Sequence, residues 1–401
     1  MSAIKLSDCV SRIKESPTLA ITAKAARYKS EGKDIIGLAA GEPDFDTPQH
    51  IKDAAKKAID NGFTKYTPVS GIPSLKKAII EKFKRDNQLE YNANEVIVGV
   101  GGKQCIFNFC LAVLNADDEV IIPAPYWVSY ADIALVSNAK PVIVDCGIEQ
   151  KFKMTATQLE KAITSKTKLL MLNSPSNPTG AVYSKEELES LAKVLLKYPN
   201  ILIGTDDMYE HVKLKDMPFY NILNVEPSLK DRCVVMNGVS KAYSMTGWRI
   251  GFAAGPSDII KAMEILQSQS TSNPTSISQV AAEAALSGNQ ACMQPMITAF
   301  RERHAYVVKS FNEIPGLSCI EAEGAFYAFP DARKAIAHLY NQKILKEKSD
   351  LAFADYLLEK EGVAVVPGSA FGSDGYFRIS FATSMENLVE AMKRLKRALS
   401  V

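Results

Sequence analysis

The feature that most constrains this chain is an alternation of short apolar runs with helical stretches through its middle. The runs are Val96-Ile97-Val98, Val120-Ile121-Ile122, Val142-Ile143-Val144, Leu169-Leu170-Met171-Leu172, Ile201-Leu202-Ile203 and Cys233-Val234-Val235-Met236. Helical patterns lie between them near 103–114, 128–137, 156–164 and from about 185 onward, where Ser184 and Glu187 fit a capping box. Runs this uniformly apolar suit strands buried on both faces. Their alternation with helices calls for a mainly parallel sheet covered on either side. The expected fold class is α/β.

The flanks read differently. A helix over 18–31 stops at Gly32, an apolar run Ile35-Ile36-Gly37-Leu38 follows, a helix over about 48–61 ends at Gly62, and another starts near Pro73. Past about 295 comes a long helix from Met296 to Phe311, then Gly324-Ala325-Phe326-Tyr327-Ala328-Phe329 and a helix near 350–360. Short strands at Val363–Val366 and Tyr376–Phe381 and a closing helix over 385–399 complete a smaller α+β unit. The expected division is an arm and part of the small domain over 1–47, a large domain over 48–295 and the small domain over 296–401. With 401 residues and 47% apolar content the chain can bury both cores.

A net charge of +2 leaves no global field to attract nucleic acid or an anionic membrane. No stretch approaches a membrane span and the N-terminus has no apolar signal core, so a cytoplasmic enzyme is expected. Seven scattered cysteines form no C-x-x-C pair, and His50, His211, His304 and His338 show no metal-ligand spacing, so neither a disulfide framework nor a metal is expected.

In an open parallel sheet, ligands collect beyond the carboxyl ends of the strands. Chemistry-bearing residues fall there repeatedly. Gly99-Val100-Gly101-Gly102-Lys103-Gln104 opens a helix after the first run, and its amides suit a phosphate; taken alone it is equally a tight turn. Trp127 follows the second run and could stack on a flat ring, although alone it reads as core packing. Asn177 sits in an irregular Pro- and Gly-rich turn after the fourth. Asp206 ends the fifth, where a buried carboxylate needs a cationic partner such as a protonated ring nitrogen. Tyr209 lies three residues on.

After the sixth run comes Gly238-Val239-Ser240-Lys241-Ala242-Tyr243-Ser244-Met245-Thr246-Gly247-Trp248-Arg249-Ile250-Gly251. A lysine delivered from a strand end onto a cofactor, its pKa lowered, can attack a carbonyl, and Arg249 is a fork-shaped anion partner. This segment resembles the cofactor-lysine signature of class I pyridoxal-phosphate aminotransferases, and the resemblance runs in order through nearly the whole chain. It implies fold type I of the pyridoxal-phosphate enzymes, with a seven-stranded, mainly parallel sheet, and a homodimer with shared active sites.

By the same resemblance, Lys241 bonds the cofactor and later moves the proton, Asp206 pairs the ring nitrogen, Asn177 and Tyr209 bind the ring oxygen, and Trp127 stacks. Gly101, Gly102, Lys103, Ser240 and Arg249 border the phosphate, with Tyr66 reaching it from the neighbouring subunit. Some relatives place a hydroxyl where this chain has Gly238, and Ser240 stands in for it. Gly41, Trp127 and Asn177 border the substrate, and Arg378, in Phe377-Arg378-Ile379-Ser380, grips its α-carboxylate.

The motifs Gly101-Gly102-Lys103-Gln104, Pro125-Tyr126-Trp127-Val128-Ser129-Tyr130 and Lys14-Glu15-Ser16-Pro17-Thr18 resemble those of bacterial aspartate aminotransferases of the subgroup that includes prephenate-active members. There Lys103 meets the distal carboxylate, with Thr18 and Lys14 beside it. An aromatic or alanine-type aminotransferase on the same scaffold is the alternative.

Overall fold

The computed structural model describes residues 4–13, 15 and 17–400; Lys14 lies outside them. Twelve strands occur among these residues: β1 (Ile36–Gly37), β2 (Val96–Gly99), β3 (Glu119–Ala124), β4 (Lys140–Asp145), β5 (Thr167–Asn173), β6 (Leu202–Asp206), β7 (Cys233–Gly238), β8 (Gly251–Ala254), β9 (Tyr327–Ala328), β10 (Val363–Ala364), β11 (Val366–Pro367) and β12 (Phe377–Ser380).

Seven of them form one sheet in the order β2-β8-β7-β6-β5-β3-β4. Six run the same way and β8 alone runs against both its neighbours. The six apolar runs are six of these strands. The seventh, β8, is Gly251-Phe252-Ala253-Ala254, too short and too poor in β-branched residues to announce itself.

Side chains alternate across the strands. Val96, Ile121, Leu170, Val235 and Phe252 enter one core with the helices Gln49–Asp60, Pro73–Lys82, Lys185–Leu196 and Ser276–Ser287. Ile97, Ile122, Met171, Val234 and Ala253 enter a second with Gly102–Val113, Ser129–Val136 and Ser257–Ser268. That two-sided burial is why the runs lack polar alternation. The helices Ser257–Ser268 and Ser276–Ser287 add two elements beyond those read from the sequence, as does Arg333–Asn341.

A third cluster joins the helices Gln294–Asn312, Asp350–Glu361 and Met385–Ala398 to Tyr327, Phe377 and Ile379. The run Val363–Val366 is two strands rather than one. Val363-Ala364 pairs in parallel with β1, and Val366-Pro367 pairs antiparallel with β12, so the chain changes partners at Val365. The N-terminal helix Pro17–Ser30 packs here too, its Ala25 meeting Leu358 and Ala364. No helix among the described residues is long and apolar enough to cross a membrane.

Candidate active site

Five strands deliver chemistry to one edge of the large sheet. Gly101 and Gly102 follow β2, Trp127 follows β3, Asn177 follows β5, Asp206 ends β6 and Lys241 follows β7. They border a cavity of about 420 Å³, together with Thr18 from the N-terminal helix, Gly41 after β1, and Tyr327 and Arg378 from the small sheet. Gly101 itself stands just outside the lining.

Lys241 is held inside this cavity, its Nζ donating to the Gly41 carbonyl at 2.5 Å. Burial, then the nearby positive charge of Arg378, pulls its pKa down to about 8, so the amine and ammonium forms both occur near neutrality. Asp206 is buried, accepting from the Tyr130 hydroxyl at 2.6 Å and from the Met208 amide at 3.2 Å. Burial raises its pKa despite those donors and the nearby Lys241 charge. Asn173 steadies this edge by donating from Nδ2 to the Asp206 carbonyl and accepting from the Asn177 amide.

Arg378 is 2% exposed. Its Nη1 donates to Asn177 Oδ1 at 2.9 Å and its Nη2 to the Ala39 carbonyl at 2.6 Å, while its buried Nε finds no partner among the described residues. The guanidinium lies 4.5 Å from the Tyr327 ring centroid and 5.0 Å from that of Phe371, which fix its plane. A buried, oriented guanidinium with no carboxylate hydrogen-bonded to it among the described residues can receive one.

The anion end of the cavity is made by close approach. Gly101 has φ +80°, and a Cβ there would stand 2.2 Å from Arg249 Nη2, so only glycine lets this arginine lie beside the start of the helix Gly102–Val113. A Cβ at Gly238 would meet the Gly251 Cα at 3.1 Å, so the pairing of β7 with β8 favours glycine at this position. Ser240 is buried and lines the cavity. Lys103 sits with its Nζ 5.0 Å from the Trp127 ring centroid; desolvation, then the Arg249 charge, lowers its pKa.

Tyr209 is buried, with its hydroxyl 2.8 Å from that of Tyr327. Tyr66 is 92% exposed and stands apart from this chain's cavity. Tyr130 and Tyr327 are the two side chains for which the sequence reading had no task. Each is a buried phenol that needs a partner, but the partner lies 76 residues away for Tyr130 and 118 for Tyr327, beyond any local pattern.

A flat cation-bearing ring with a phosphate at one end would meet an unneutralised Asp206, a lysine amine and the Gly101–Arg249 cradle. The residues present fit pyridoxal phosphate. Comparison with known proteins agrees. Residues 33–395 match the family described as aminotransferase class I and II. The aspartate/prephenate aminotransferase of Nitrosomonas europaea is 64% identical over 99% of this chain and 100% of its own length. That of Cereibacter sphaeroides is 54% identical over 98% of each. Among solved structures, the aspartate aminotransferase of Rhizobium meliloti superposes with a TM-score of 0.94 at 47% identity over 99% of both chains. The Thermus thermophilus aspartate aminotransferase with maleate gives 0.92 at 40%, covering 99% of this chain and 100% of that one. With a buried amine at the edge of the large sheet and a buried guanidinium facing it from the small sheet, the chain belongs to the class I and II aminotransferases and is a pyridoxal-phosphate-dependent transaminase.

Proposed function

We propose that this transaminase exchanges an amino group between L-aspartate and 2-oxoglutarate, giving oxaloacetate and L-glutamate, with prephenate within its substrate range. The observation that carries the reading is a pair of cations in one cavity. Arg378, with its free Nε, suits an α-carboxylate, and Lys103, bordering the same space, suits a second one. Burying the distal carboxylate of aspartate without a cation would cost several kcal/mol. The names of the relatives above support aspartate and prephenate among these.

Pyridoxal phosphate, when bound, supplies the ring that accepts the electron pair left as the α-proton departs. Lys241 Nζ would hold the cofactor and, as an amine of lowered pKa, would take the substrate's α-proton and give it back. Asp206 would keep the ring nitrogen protonated, with its carboxylate oriented by the Tyr130 hydroxyl. Asn177 and Tyr209 would donate to the ring oxygen, Trp127 would stack on the ring, and Gly101, Gly102, Ser240 and Arg249 would hold the phosphate. Arg378 and Gly41 orient the substrate so that its α-proton faces Lys241.

In this reading 48–295 form the cofactor-binding domain, while 1–47 and 296–401 form the smaller one; the pairing of β1 with β10 supports that grouping. The protein acts in the cytoplasm as a homodimer, and Tyr66 reaches the phosphate in the neighbouring subunit, which its exposure supports.

A panel of donors and oxo acids tests the reading. Lys103→Ala should lower kcat/KM for aspartate and oxaloacetate by about ten- to a hundredfold, the worth of one charged hydrogen bond, while alanine and phenylalanine lose little. Lys14→Ala should fall mainly on prephenate. Equal losses for acidic and neutral substrates at Lys103→Ala would remove the distal-carboxylate role.

A further inference from the structure

Tyr327 has no part in the reaction as described, yet it touches three of the groups that carry it. Its hydroxyl is 2.8 Å from the Tyr209 hydroxyl, and its ring faces the Arg378 guanidinium at 4.5 Å. A Cβ at Gly41 would meet its oxygen at 3.1 Å. The residue is 1% exposed and sits on β9, which pairs with the arginine-bearing β12 through Ser380↔Tyr327 and Ile379↔Ala328. One strand ladder therefore sets Tyr327 and Arg378 together.

A phenol carries one proton, so in a pair of phenols only one can donate to the other. Tyr209 needs its proton for the cofactor's ring oxygen. We propose that Tyr327 is a positioning residue: its hydroxyl donates to Tyr209 and aims the Tyr209 O–H at the ring oxygen, while its ring braces Arg378. A bond accepted by Tyr209 also strengthens the bond Tyr209 donates. The side chain thus couples the grip on the substrate's α-carboxylate to the proton balance at the cofactor. The inference rests on the assignment of Tyr209 to the ring oxygen and of Arg378 to the α-carboxylate.

The test is a pH titration of the visible absorbance of the substrate-free holoenzyme, for wild type, Tyr209→Phe, Tyr327→Phe and the double variant. A donor on the ring oxygen withdraws charge that would otherwise hold the proton on Lys241 Nζ where it is bonded to the cofactor, so losing the donor raises the midpoint. Tyr209→Phe should raise it by about one unit and Tyr327→Phe by a few tenths, in line with a cooperative effect of roughly 10–30% per bond. The double variant should match Tyr209→Phe alone. A wild-type midpoint in Tyr209→Phe would overturn the assignment of Tyr209 and the proposal with it. A shift in Tyr209→Phe with none in Tyr327→Phe, or shifts that add, would overturn the relay and leave the assignment standing. For the brace, Tyr327→Leu should raise KM for aspartate about three- to tenfold above that of Tyr327→Phe, as a cation–π contact is worth, with kcat little changed. Equal KM values in the two variants would overturn that half.

Discussion

Two clusters of charge share one turn of chain, and they have opposite character. Asp206 and Tyr209 face the cavity, whereas Asp207 and Glu210, one residue further on in each case, face away from it. Asp207 accepts from the Thr205 hydroxyl at 2.6 Å and from Asn221 Nδ2 at 2.5 Å. Glu210 pairs with buried Lys82 and accepts from Asn87 and Asn237. Burial alone would raise the Glu210 pKa, but Lys82 and His211 hold it below the ordinary carboxylate value. Asp86, Glu210 and His211 lie close enough together to suggest a metal site, but Asp86 is already engaged by Arg85 and Glu210 by Lys82. On the cavity side, among the described residues, Asp206 has no cation hydrogen-bonded to it and the buried Arg378 Nε has no partner. Asp207, its pKa pushed up to about 7 by burial and then by Glu210, is held by neutral donors, and Glu210 by Lys82. That side is satisfied within the chain, while the open groups of the cavity are what a ligand completes.

The comparison can be broken by exchanging the two sides. Lys241→Ala should lower turnover by about four powers of ten or more, the weight of a combined nucleophile and base, while the cofactor remains detectably bound through its phosphate and ring contacts. Steady-state transamination near the wild-type rate would end its role. Asp206→Asn should cost roughly three powers of ten in kcat, as loss of a preorganised charge does, with a milder loss of cofactor affinity. Asp207→Asn, one residue away, should act on stability instead. Near-normal kcat in Asp206→Asn with collapse in Asp207→Asn would reverse the assignment of the two carboxylates.

Lys82→Met sharpens the other side. It strands Glu210 without its ion-pair partner, at a cost of about 3–5 kcal/mol, read as a lower melting temperature, with the folded fraction keeping its kcat within a few-fold. An unchanged melting temperature with lost turnover would make this cluster functional.

Much of the site was legible because its chemistry repeats one address. Gly101, Trp127, Asn177, Asp206 and Lys241 each follow an apolar run, and parallel strands bring their carboxyl ends to one edge. The helices Lys185–Leu196 and Met385–Ala398 declared themselves through Ser184 with Glu187 and through apolar periodicity. β8 did not, because glycine and alanine carry little strand signal. Its place is decided by contact: a Cβ at Gly251 would stand 2.2 Å from the Gly102 amide, so only a strand this bare can pass beneath the glycine turn.

What the sequence determined by itself is whatever rests on local pattern: an α/β chain with strands buried on two faces, a lysine delivered after the last parallel strand, and a carboxylate one strand away. What only the tertiary structure decided is pairing over distance. The hydroxyl of Tyr130 on Asp206, that of Tyr327 against Tyr209, and the ladder that seats Arg378 beside Asn177 all join residues on separate elements. A side chain's type sets how many partners it needs; which distant group meets that need is settled only when strands register and faces close.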